Sequence, residues 1–88
     1  MTDFVLTSIP ASRLLVFLHK HNKEKFNFTT LKDMRFFSNG QRLNEFLKYG
    51  VARQLIKRTE EKINSQKNVF YEIKAEANEF AEFLERLL

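Results

Sequence analysis

The spacing of apolar residues calls for a small α+β domain, mainly helical with one β-hairpin. Three features of the chain point there. Ala11, Leu14, Leu15 and Leu18 recur at helical spacing, as do Leu43, Phe46 and Leu47, and then Phe80, Phe83, Leu84 and Leu87; such spacing puts each set on one helix face. Val69, Tyr71 and Ile73 alternate as a strand does, and an apolar/basic alternation over 51–59 precedes them. The third feature is size: 88 residues, 43% hydrophobic and ten Phe, suit one domain with one core. The expected order is three helices, a strand, a polar tip, a strand and a last helix over 75–88, within a single domain over 1–88.

Each element has its own local signals. Ser8-Ile9-Pro10 opens the first helix, with Ser8 as N-cap and Pro10 in the first turn. That helix runs to His21 or Asn22, and Val16 and Phe17 fall off its apolar stripe. A polar loop, "NKEKFNF", ends in a short extended piece with Phe26 and Phe28 on one side. A short helix over 30–37 follows, opened by Thr29 or Thr30, with Leu31 and Met34 inward. Asn39-Gly40 is a turn signal. "QRLNEFLKYG" is the third helix, and Gly50 stands where a left-handed C-terminal residue is wanted. The polar tip of the hairpin is "EEKINSQK".

Charge bounds the function. The net charge is +4, and residues 23–62 carry ten Lys or Arg against five Asp or Glu. The last helix is acidic, with Glu76, Glu79, Glu82 and Glu85 against Arg86. A basic middle favours polyanions, and an acidic tail stays away from them. Absence of cysteine excludes disulfides and thiolate metal sites and fits an intracellular, cytoplasmic setting. No stretch has the ~20 apolar residues of a membrane span, and "MTDFVLTSIP" lacks the basic and apolar regions of a signal peptide. His19 and His21 stand two apart on a helix and point different ways, so they do not share a metal. The glycines, Gly40 and Gly50, build no phosphate loop. Neither an enzyme, a cofactor nor a small-molecule ligand is expected.

"LNEFLKYGVARQLI", "NVFYEIK" and "AEANEFAEFLERL" together resemble the winged helix-turn-helix family. The likeness covers about residues 8–88 and is nearest to MarR-, ArsR- and PadR-like and archaeal winged-helix regulators. Where that family commonly has a threonine and a glycine before its terminal helix, this chain has Lys74 and Ala77. The resemblance implies an intracellular DNA-binding regulator of transcription. Its helix over 40–49 would enter the major groove, and the hairpin over 53–74 would lie on the backbone or minor groove as a wing.

The candidate contacts follow from residue chemistry. With Leu43, Phe46 and Leu47 inward, Gln41, Glu45 and Lys48 point out, and Arg42 and Asn44 flank them. Gln and Asn read adenine, and Arg and Lys read guanine. Asn39 and Gly40 offer backbone N–H groups to a phosphate. Arg53, Lys57, Arg58, Lys62 and Lys67 lie on or beside the hairpin as phosphate contacts, interrupted by Glu60 and Glu61. A homodimer is expected to read two half-sites of double-stranded DNA. Val16, Phe17, Phe80, Phe83, Leu84, Leu87 and Leu88 are its candidate interface. The alternative is a protein-interaction module that uses the same scaffold without touching DNA.

Overall fold

The computed structural model describes residues 8–87. The expectations for the first seven residues, and for Leu88, lie outside them. The described residues form an α+β domain with four α-helices and a three-stranded antiparallel sheet. In chain order they are α1 (Ile9–Lys20), β1 (Phe26–Asn27), α2 (Phe28–Asp33), α3 (Gly40–Ala52), β2 (Ile56–Ile63), β3 (Gln66–Ile73) and α4 (Asn78–Leu87). A single 3₁₀ turn, Ala75–Ala77, leads into α4.

α1 starts as its sequence dictates: Ser8 Oγ accepts a hydrogen bond from the Ala11 N–H, and Pro10 sits in the first turn. Ala11, Leu14, Leu15 and Leu18 are all essentially without exposure and form the centre of the core. α1 packs on α4, whose Ala81 and Leu84 are buried. α1 ends at Lys20. Near its end, His19 Nδ1–H donates to Asn78 Oδ1 at 2.6 Å and ties α1 to the start of α4.

The extended piece before α2 becomes β1, a third strand added to the hairpin. Phe26 pairs with Tyr71 and Asn27 with Phe70, giving the order β1-β3-β2. Phe28 already belongs to α2. Asn27, not Thr29 or Thr30, caps that helix, its Oδ1 accepting from the Thr30 N–H at 2.8 Å. α2 stops at Asp33, short of the expected Phe37. The reason is backbone chirality: Arg35 has φ +60°, a left-handed conformation that no helix continues through. Leu31 is buried, whereas Met34 caps the helix and is exposed.

The largest departure lies after α3. The strand expected over 51–59 starts at Ile56, because α3 continues through Val51 and Ala52. Gly50 is therefore helical and has no positive φ. Its role is clearance: a Cβ there would stand 2.5 Å from Ile56 Cδ1 and 2.9 Å from Ile56 Cγ1. The left-handed residue that ends the helix is Gln54, with φ +63°. The Leu55 N–H then returns to the Gly50 carbonyl at 2.8 Å, folding β2 back against α3.

The hairpin is also longer than its polar sequence suggests. Most of "EEKINSQK" is strand, and the turn is Asn64-Ser65 alone, both left-handed at φ +53° and +67°. Positive φ at both central residues makes it the tight two-residue turn whose twist matches the strands. Ile56 and Ile73, paired at the root, are buried, while Ile63 at the tip is half-exposed.

Candidate nucleic-acid interface

Two surfaces meet at the site: the outer face of α3 and one face of the hairpin. α3 opens at Asn39, whose Oδ1 accepts from the Arg42 N–H at 2.8 Å. The Asn39 side chain is thus committed to capping. Leu43, Phe46 and Leu47 are buried as their spacing requires, so Gln41, Arg42, Asn44, Glu45 and Lys48 are exposed along one helix. Asn39, Gln41, Arg42 and Glu45 line a polar hollow at its start.

Side chains alternate along a strand, so register divides the hairpin charges between two faces. Ile56, Arg58, Glu60 and Lys62 share one face with Ile73, Tyr71, Val69 and Lys67 opposite them. At the root this face joins the core through Ile56 and Ile73, and one row further out, at Arg58 and Tyr71, it faces α3. A hollow of about 350 Å³ between α3 and the hairpin is lined by Asn44, Leu47, Lys48, Val51, Ala52, Arg58 and Tyr71. Lys57 belongs to the other face, opposite Glu72, and stands apart from the rest. Arg53 is not on the hairpin: it caps α3 and lies over the Tyr49 ring at 5.4 Å.

The structure thus brings Asn44, Lys48 and Arg58 around one hollow and extends that face outward through Lys62 and Lys67. Val51, Ala52 and Tyr71 join it only in three dimensions. The period-2 spacing of Arg58 and Glu60 places them side by side; locating Asn64-Ser65 as the turn brings in Lys67 and Tyr71.

Pairing within the hairpin is uneven. Glu60 Oε2 lies 2.5 Å from Arg58 Nη1 and 3.4 Å from Lys67 Nζ. The Arg58 hydrogen bond first, and Lys67 second, hold the Glu60 carboxyl below its ordinary value. Arg58 is raised in turn, by Glu60 foremost and then by Tyr71. On the opposite face Glu61 pairs with Lys25, whose ammonium also lies 5.1 Å from the Phe70 ring centre. Lys62 and Lys67 stand directly opposite each other, and Lys62 has no carboxylate partner among the described residues. Like charges in that arrangement destabilise a hairpin.

The expected assembly surface is largely occupied by the chain itself. Val16 and Leu84 are buried in the core and cannot serve an interface. Phe17 is half-buried among Phe26, Phe36 and His21, with ring centres 5.2, 5.5 and 4.6 Å away. Phe80 is half-buried against the same core. Phe83 and Leu87 remain in the open, 50% and 63% exposed, and Glu76, Glu79, Glu82 and Glu85 are also exposed. No described helix is long and apolar enough to cross a membrane.

No protein-family model matches this chain, and no curated protein or solved structure matches it.

Proposed function

We propose that this chain is a winged-helix DNA-binding protein, acting as an intracellular regulator of transcription. The order of its elements supports the reading: a short edge strand between the first two helices, then a helix followed by a long hairpin and a final helix. The observation that carries it is the shared hollow in which the outer face of α3 meets the hairpin face bearing Arg58, Lys62 and Lys67. A B-form major groove is ~12 Å wide and admits one helix. With α3 in that groove, the hairpin reaches the flanking backbone. Gln41, Arg42, Asn44 and Lys48 then meet base edges, and the hairpin cations meet phosphates. Two copies read two half-sites about one helical turn apart.

The test is a salt-titrated binding assay on duplex DNA, both random and from upstream of the chain's own coding sequence. Binding should weaken steeply with salt, by about 0.9 log units of affinity per log unit of salt for each phosphate neutralised. Replacing Arg58, Lys62 and Lys67 together by Ala should flatten that slope by about one for each phosphate no longer neutralised, equally on all sequences. Arg42→Ala or Gln41→Ala should instead reduce discrimination, by roughly 1–3 kcal/mol for each bidentate bond to a base that is removed. A folded chain that binds no duplex at low salt refutes the DNA reading and leaves a scaffold for protein partners.

A further inference from the structure

We infer that Arg58 and Lys67 form a seat for one backbone phosphate, and that Glu60 fills this seat in the free chain as an internal competitor. The inference deepens the DNA-binding reading and rests on it for the identity of the phosphate. Its basis is the convergence of two cations on one carboxylate oxygen, Glu60 Oε2, at 2.5 and 3.4 Å. Register enforces this meeting. Arg58 and Glu60 are two apart in β2, and Glu60 pairs with Val69, which puts Lys67 on the diagonal of the same face. Lys62 stands on that face too, directly opposite Lys67. Three cations therefore share a face with one carboxylate that pairs with only two of them, and the cluster has anion-binding capacity to spare. A like-charge pair at the end of a hairpin contributes nothing to the fold, whereas two ammoniums and a guanidinium suit a polyanion.

The exchange of occupants is chemically even. A carboxylate and a phosphodiester each carry one negative charge and accept from Arg and Lys through oxygen. All three members of the seat are exposed, with side chains 40%, 46% and 58% accessible for Arg58, Glu60 and Lys67. Exposed pairs of this kind are weak, so a phosphate can displace the carboxylate without disturbing the fold. Glu60 also keeps the Arg58 and Lys67 side chains gathered before the phosphate arrives. Its adjacent residue, Glu61, carries the same charge but points to the other face and pairs with Lys25. That makes Glu61 an internal control.

Two probes test the seat: a duplex in a salt-controlled binding assay, and inorganic tripolyphosphate titrated against the amide resonances of Arg58 and Lys67. Glu60→Gln should tighten duplex binding by about 5–10-fold, as expected when a like charge leaves the vicinity of a phosphate, and Glu61→Gln by no more than about twofold. Glu60→Gln should also strengthen tripolyphosphate binding at those two residues. Arg58→Ala should weaken duplex binding more in the Glu60→Gln background than in the natural chain. Equal gains from Glu60→Gln and Glu61→Gln overturn the seat, because only general charge would then be at work. So does the absence of any gain with tripolyphosphate. A gain with tripolyphosphate, in a chain that binds no duplex in any variant, upholds the seat and removes the DNA reading instead.

Discussion

Gly40 and Gly50 both lie in α3, yet their environments assign them opposite sensitivities. A Cβ on Gly40 would meet Lys32 Cε and Phe28 Cζ at 3.5 Å, ordinary van der Waals distance. Gly40→Ala should therefore leave stability unchanged or raise it by about 0.4–1 kcal/mol, by reducing the freedom of the unfolded chain. A Cβ on Gly50 would strike Ile56, a buried residue, at Cδ1, Cγ1 and Cβ, at 2.5, 2.9 and 3.3 Å. Ala gains up to ~1 kcal/mol in helix propensity, but overpacking costs typically ~1–3 kcal/mol. The clash should win. Urea denaturation should show Gly50→Ala destabilised, and adding Ile56→Val should recover part of the stability by removing Cδ1. Glu60 supplies a second prediction at this scale. The Arg58 hydrogen bond lowers its folded-state pKa, so the favourable contribution is present above the unfolded pKa and disappears as pH falls through the folded one. Side-chain carboxyl titration by NMR should find Glu60 below the ordinary value, and Arg58→Ala should move it upward.

At the scale of elements, the hairpin turn is where local preference and observed conformation disagree. Asn64 tolerates a left-handed backbone, but Ser65 does so at a cost. Ser65→Gly supplies the Asn-Gly pair that this turn prefers. Relief of strain should outweigh the extra entropy of the unfolded glycine. The expected gain is about 0.5–1 kcal/mol, read as a rise in the denaturation midpoint with unchanged slope. The same turn marks the limit of what the sequence displays. Helix faces are legible because burial enforces them: Leu43, Phe46 and Leu47 are inward in the spacing and in the structure. Capping by Ser8 is legible because its signal is local. The full length of the hairpin is not, because its outer rows carry polar residues on both faces and so show no alternation to count. Gly50 misleads for a related reason. A glycine near a helix end suggests a left-handed cap, but the demand here is clearance from Ile56, which is remote until the chain folds back. The candidate residues on α3 are readable from one helix, whereas the company of Arg58, Glu60 and Lys67 needs the register.

In the whole molecule the cation-bearing hairpin face and the acidic α4 are separate elements, and α4 packs on α1. That division leaves α4 available for the pairing of two copies. Phe83 and Leu87 are four apart and share one helix face, with half-buried Phe80 beside them. Glu79 and Arg86 border that apolar strip on its outer side, and they stand seven residues, about two helical turns, apart. Two α4 helices crossing antiparallel about a twofold axis near Phe83 therefore bring Glu79 of each copy opposite Arg86 of the other. Self-complementarity of this kind is what a twofold interface demands. The expected species at micromolar concentration is a dimer, which corresponds to roughly 8 kcal/mol of association free energy. Phe83→Glu should dissociate it while leaving weak duplex binding in place. Arg86→Glu should weaken it by setting two acidic residues against each other, and Glu79→Arg in the same chain should restore it. Sedimentation equilibrium on the four proteins decides the matter. A natural chain that stays monomeric, or a charge swap that fails to rescue Arg86→Glu, removes α4 from the assembly.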